Sequence, residues 1–155
     1  MWELNVYSRC KTQNWESGNH YRISNDLDIL IIGLTNDLRA SKIRKDLTDQ
    51  WKIHNVEEGE DYARLTDIIY QSWAGLTARE YKRFKGLHQE NLRDNMTNEE
   101  LVMNMLAELT TTNITKEEHP LTMDEHSKVA ARGGSVARIA KDAYEHRQVK
   151  KLFLI

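Results

Sequence analysis

Apolar residues along most of this chain recur every three or four positions, which is the spacing of one face of an α-helix. The longest such repeat starts after Asn25 and Asp26, either of which can cap a helix. Polar residues and a glycine at 55–59 predict its end. The stripe that we expect to be buried consists of Leu27, Leu30, Ile31, Leu34, Leu38, Ile43, Leu47 and Trp51.

A second helical repeat runs from Tyr62 to Trp73 and meets a glycine at Gly75. Three later segments begin with a threonine followed three residues on by a glutamate, at Thr77, Thr97 and Thr122. In such a capping box the hydroxyl and the carboxylate each accept from a backbone N–H at the start of a helix. We therefore predict three more helices.

Two of these later helices have predicted interruptions. The helix after Thr97 is the most regular, and we expect the β-branched run 110–112 to end it. In the last segment Gly133-Gly134 is expected to separate two helices. The predicted apolar positions of the two segments are Leu101, Val102, Met105, Leu106, Leu109, and Val129, Ala130, Val136, Ile139, Ala140, Ala143, Tyr144.

The first residues have a different pattern. Residues 2–7 alternate between apolar and polar side chains, which is typical of a strand, and a turn-rich segment follows. We predict a mainly α, multi-helix domain at 25–148, preceded by a strand-like or irregular arm at 1–24 that could form a short hairpin. Residues 149–155 form a tail that is first basic and then apolar.

Composition fits one folded domain. The chain has 155 residues, of which 30% are charged and 39% hydrophobic. Its longest strongly apolar stretch, residues 29–34, is far shorter than the roughly 20 residues of a membrane span. The first residues lack the basic start of a secretory signal, so we expect a cytoplasmic protein without membrane contact. The single cysteine, Cys10, excludes an intrachain disulfide.

Charge is unevenly distributed, although the net charge is only -2. Residues 126–155 contain seven basic and two acidic residues, so the rest of the chain is acidic. Within it, residues 126–143 resemble a helix-turn-helix unit, with Ala130, Gly134 and Ile139 at the positions where two helices cross closely. The side chains that we expect at DNA are Arg132, Ser135, Arg138 and Lys141. A plain helical hairpin or a partner-binding tail is the alternative.

A second basic cluster follows Thr77. It consists of Arg79, Lys82, Arg83 and Lys85, with aromatic residues at 81 and 84 between them. This combination could neutralise and stack on nucleic acid, while a solvated basic face on an amphipathic helix is the simpler interpretation. Of the four tryptophans, Trp2 and Trp15 lie in the arm and are candidates for a partner contact.

Recognisable catalytic or metal-binding motifs are absent from the sequence. Gly133-Gly134 lacks the Lys-Ser/Thr of a phosphate-binding loop, and no serine stands in a nucleophile elbow. Glu118-His119 and Glu125-His126 place carboxylate beside imidazole seven residues apart, but Pro120 separates them. We therefore expect no enzyme, no metal and no cofactor.

Several segments, taken in order, resemble the C-terminal domain of the DNA damage-inducible protein D and BRO-type prophage antirepressor family. They are residues 43–51, 62–69, 80–87, 90–102, 104–112 and 129–137, and the likeness covers about residues 41–148. Family members usually carry a preceding BRO-type domain, which the first 40 residues here do not resemble. We know of no catalytic residues in this domain.

The resemblance implies a regulator or inhibitor from a phage or prophage setting that binds a host or phage protein. A repressor, a recombination protein or a defence component would be such a target, and inhibition of a host nuclease is one form of this hypothesis. Direct DNA binding through residues 126–151 is the alternative from a second class. Self-association stays open, since the apolar residues 152–155 and Trp2 could bury against a second copy.

Overall fold

The structure is a computed structural model that describes the backbone of residues 26–147 and the side chains of residues 37–147. Five α-helices and one short 3-10 turn, at Arg93–Asn95, make up this part of the chain, which contains no strand. The mainly α prediction is confirmed. The helices are α1 (Asp26–Ile53), α2 (Glu60–Ala74), α3 (Ala78–Phe84), α4 (Asn98–Glu118) and α5 (Met123–Arg147).

The chain divides between Asp37 and Leu38 into two units, and all packing described below lies within the second. Of the first unit, the structure describes only the opening turns of α1. The strand-like arm at 1–24 and the tail at 149–155 fall outside the described residues. Among the described helices, none combines the length and the apolar character that crossing a membrane requires.

All three predicted capping boxes are present. At the start of α4, the Thr97 backbone N–H donates to the Glu100 carboxylate over 2.9 Å, and the Glu100 N–H donates to the Thr97 hydroxyl over 3.3 Å. Thr77 makes the same pair of bonds with Glu80, and Thr122 makes them with Glu125 at the start of α5. These short-range signals set three helix starts correctly.

The core lies where α5 packs against both α2 and α4. Large apolar side chains from α1 and α2 fill it together with small residues of α4 and α5. Tyr70, Trp73 and Tyr81 add an aromatic cluster with ring centroids about 6 Å apart. Members of the core include Leu47, Trp51, Leu65, Ile69, Trp73, Tyr81, Ala107, Ala130 and Ala137.

The predicted break at Gly133-Gly134 is wrong, because α5 continues through both glycines. A Cβ on Gly133 would lie 2.0 Å from the Thr111 hydroxyl and 2.8 Å from the Thr111 backbone nitrogen. A Cβ on Gly134 would lie 2.4 Å from Ser72 Cβ and 2.8 Å from the Ile69 carbonyl oxygen. The two glycines therefore allow α5 to approach α4 on one side and α2 on the other.

The predicted helix end at 110–112 is also wrong, since α4 continues to Glu118. The Thr111 and Thr112 hydroxyls donate to the carbonyls one turn earlier, each over 2.8 Å, and Thr115 does the same. These bonds satisfy the hydroxyls inside the helix, so that β-branched residues can be buried without interrupting it.

The face of α4 that is buried differs from the predicted one. Leu101 is buried, but Val102 and Leu109 are exposed, while the core receives Asn104, Glu108 and the threonines. The same holds for α5, where Val129 and Ala130 are buried and the predicted positions Val136, Ile139 and Ala143 are exposed. Leu38 of α1 is exposed as well. Apolar spacing predicted these helices but not their orientation.

Candidate functional site

The basic cluster on α3 is split by the fold. Arg79 and Arg83 are exposed and Lys82 is half-buried. Lys85 instead donates to the buried Glu100 carboxylate over 2.6 Å, and its ammonium lies 5.6 Å from the centre of the buried Tyr81 ring. Three of the four basic side chains are thus at least partly exposed and could contact nucleic acid. Lys85 instead connects the end of α3 to the start of α4.

The second set of candidates lies on the outer side of α5. The predicted helix-turn-helix is wrong, because these residues belong to one continuous helix. Ser135 and Arg138 are exposed. Arg132 binds Glu118 over 2.7 Å, and Lys141, largely covered, lies 4.0 Å from Glu145. Arg138 is therefore the most accessible of these cations.

The tryptophans fall into two groups. Trp51 and Trp73 are fully buried and act as core anchors. Trp2 and Trp15, the candidates for a partner contact, lie outside the described residues, as does the tail.

Exposed apolar side chains on α4 and α5 form a feature that the sequence analysis had assigned to the core. Val102 and Leu109 of α4 are 57% and 45% exposed, and Val136 and Ile139 of α5 are 40% and 69% exposed. The seven-residue spacing on α4 and the three-residue spacing on α5 each place the pair on one helix face. We name these two exposed pairs, one on each of two packed helices, the hairpin surface.

The most deeply buried charge belongs to Glu108 of α4. Arg93 donates to its carboxylate, and Arg44 of α1 approaches it at 3.4 Å. Arg44 also donates to Thr66 over 2.8 Å, and Arg93 donates to the Ala40 carbonyl over 3.1 Å. Burial raises the pKa of Glu108, and the two guanidinium groups oppose that shift.

This buried network connects distant segments, because its residues come from α1, α2, the 3-10 turn and α4. No local pattern in the sequence predicts it, because 64 residues separate Arg44 from Glu108. Neither of the two cavities described below is lined by Glu108. We interpret the network as structural.

Three histidines converge where α1, α4 and α5 end or begin. His54 Nε2 lies 3.3 Å from His119 Nδ1, and the two rings are stacked with centroids 5.6 Å apart. The ring of His126 stands edge-on to His54 at 6.1 Å and is almost fully buried. We call these residues the histidine cluster. The adjacent glutamates at 118 and 125 had drawn attention to His119 and His126, but no motif connects His54 to them.

Two cavities adjoin the histidine cluster. The larger one, about 360 Å³, is lined by Glu118 and His119 at the end of α4 and by residues of the α4–α5 turn and of α5, among them Leu121 and Arg132. A smaller one of about 50 Å³ lies between His54, Asp61 and His126. Among residues 37–147, no group of three or more histidine, cysteine or acidic side chains is arranged to hold a metal ion.

The described residues thus contain two candidate functional sites, the hairpin surface and the histidine cluster. No protein-family model, no curated protein and no solved structure matches this chain.

Proposed function

We propose that this protein is a non-enzymatic regulator of the phage or prophage type that binds another protein through the hairpin surface. Two observations support the proposal. Residues 41–148 resemble the antirepressor-like domain, and α4 and α5 leave Val102, Leu109, Val136 and Ile139 in solvent. Exposed apolar groups on two packed helices provide area that a protein partner can bury.

The exposure of Ile139 is the single observation that most strongly supports this proposal. A solvent-facing isoleucine on a well-packed helix contributes little to the fold, yet burial in a complex would stabilise that complex by about 1.5–3 kcal/mol. The partner that fits is a host or phage protein, for example a repressor, a recombination protein or a nuclease of a defence system, with an apolar groove or helix face of its own.

The experiment compares two isoleucines of equal exposure. Ile139 is 69% exposed on the hairpin surface, and Ile53 is 67% exposed at the end of α1. Affinity capture from a host lysate would use the wild-type protein, Ile139→Gln and Ile53→Gln. We expect a stoichiometric partner with the wild type and Ile53→Gln that is lost with Ile139→Gln. Absence of any such partner, or equal capture by all three proteins, would contradict the proposal.

Direct DNA binding is the second candidate function, and the exposed Arg138 and Ser135 favour it. Without a helix-turn-helix, these side chains would contact DNA from the side of a single helix. Gel shifts at roughly 50 mM salt, where phosphate contacts are strong, would test this candidate with the wild type and Arg138→Ala. A shift that Arg138→Ala weakens would support it, and no shift in either sample would remove it.

A further inference from the structure

The histidine cluster joins three parts of the fold that are distant in sequence. His54 directly follows α1, His119 ends α4 with a φ of 48°, and His126 lies in the first turns of α5. Imidazole rings therefore lie in the contact between the α4–α5 turn and the end of α1. Imidazole is the side chain whose charge changes near neutral pH.

The hydrogen bonds assign the proton positions in the neutral state. His54 Nδ1 lies 2.8 Å from the Gln50 carbonyl oxygen, which can only accept, so Nδ1 carries the proton. His54 Nε2 is then an acceptor, and His119 Nδ1–H donates to it over 3.3 Å. A pair with at least one neutral ring can keep this bond with one ring as donor, whereas two charged rings would present only donors to each other.

His126 is the buried member of the cluster. It is 2% exposed, and neither ring nitrogen makes a hydrogen bond of regular geometry. Burial lowers the pKa of His126, and the neighbouring His54 lowers it further. Glu125 and the backbone groups of His54 and Pro120 favour the charged form but do not outweigh the burial.

The acidic groups near the cluster are largely engaged elsewhere. The Glu125 carboxylate accepts from the backbone N–H groups of Leu121 and Thr122, and Glu118 binds Arg132. Asp61, at the start of α2, lines the small cavity together with His54 and His126. Asp61 thus faces two of the imidazoles, and Glu125 favours the charged form of His126 only in part, which is too little to compensate several positive charges.

We propose that the histidine cluster is a pH-sensitive contact that holds the α4–α5 turn against the end of α1 at neutral pH and releases it in mild acid. The released segment is residues 119–126, which also line both cavities. Acidification through roughly pH 7 to 5 covers the range in which imidazoles gain their charge. This inference does not depend on the proposed partner.

The direction of the effect follows from linkage. The folded-state pKa of His126 lies below its unfolded value, so the unfolded or opened state binds the proton more readily. The stability that neutral His126 contributes is fully present above the unfolded pKa of about 6.5 and is lost as the pH falls below it. The folding constant should therefore fall between pH 7.5 and 5.5, and one histidine can account for a fall of at most about tenfold.

The test measures urea unfolding at these two pH values for the wild type, His126→Phe and His88→Asn. His88 is exposed and outside the cluster, so it controls for the loss of any histidine. We expect the folding constants of the wild type and His88→Asn to fall by the same factor between the two pH values, and that of His126→Phe to fall by a smaller factor. Equal pH dependence of all three proteins would overturn the proposal.

A second variant covers the case in which His126→Phe does not fold. His119→Asn keeps a residue that tolerates the left-handed backbone at this position and cannot be protonated. Amide hydrogen-exchange protection, corrected for intrinsic rates, would be compared at both pH values. We expect residues 119–126 of the wild type to lose protection before α2 does, and His119→Asn to reduce that loss. Uniform loss along the chain, or no difference between the proteins, would count against local release.

Discussion

Gly133 of α5 lies so close to Thr111 of α4 that a methyl group on the glycine would overlap the threonine backbone, 2.8 Å from its nitrogen. This contact sets the separation of the two longest helices of the second unit. Both residues had been predicted to lie at helix ends, but both lie inside continuous helices.

Gly133→Ala tests this contact. In an exposed helix interior, alanine would stabilise the protein by about 0.5–1 kcal/mol relative to glycine. Here the new methyl group meets backbone atoms that cannot move away alone, so we expect a destabilisation of about 1–3 kcal/mol. Urea unfolding measures the difference, with the exposed neighbour Ser135→Ala as control. A more stable Gly133→Ala would show that α4 and α5 do not pack this closely.

Glu108→Gln tests the buried network. The substitution removes the negative charge and leaves Arg44 and Arg93, which are only partly solvated, without their counter-charge. We expect a loss of about 3 kcal/mol, at the low end of values for breaking buried pairs because both guanidinium groups keep some water. Chemical denaturation would measure it.

The matched control for that network is Asp49→Asn, which breaks the exposed Lys45–Asp49 pair on α1. Exposed pairs contribute little, so this variant should unfold almost like the wild type. If the two variants were equally stable, the Glu108 carboxylate would not be held as the structure has it.

Lys85→Met distinguishes a structural lysine from a ligand-binding one. Loss of the 2.6 Å contact would leave the Glu100 carboxylate buried without its cation, at a cost of about 2 kcal/mol. Arg83→Met, on the exposed side of the same helix, should leave the melting temperature unchanged. Thermal unfolding followed by circular dichroism would show the difference, and equal melting temperatures would return Lys85 to the candidate nucleic-acid contacts.

The buried tyrosines predict alkaline sensitivity. Burial raises the pKa of Tyr70 to about 12 and also raises the pKa of Tyr81. Since the folded-state value lies above the unfolded one, the stability that the protonated phenol contributes is complete below about pH 10 and is lost as the pH rises to about 12. For Tyr70 this loss should reach about 2 kcal/mol near pH 11.5.

Urea unfolding at about pH 9 and about pH 11.5 would measure this loss for the wild type and for Tyr70→Phe. The phenylalanine variant should lose less stability between the two conditions, because it has no phenol to ionise. Tyr144→Phe, at a half-buried position on α5, serves as the control. Identical alkaline losses in all three proteins would contradict the burial of the Tyr70 hydroxyl.

Local signals in the sequence predicted the helical elements well. The hydroxyl of Thr97 and the carboxylate of Glu100 are three residues apart, so their reciprocal bonds need nothing beyond the first turn of α4. Gly75 and Gly86 likewise adopt the left-handed conformation expected where helices stop. Mainly helical structure and most helix boundaries follow from such interactions between near neighbours.

Contacts between distant segments decided the rest. Glu108 and Thr111 of α4 are buried in place of Val102 and Leu109. The reason is that Arg44 and Arg93 bind the Glu108 carboxylate and that Gly133 leaves room for Thr111. The histidine cluster arises in the same way, from residues up to 72 positions apart that share no motif. A helical repeat in the sequence indicates that one face of the helix is apolar. Whether that face is buried depends on the segments that pack against it in the folded protein.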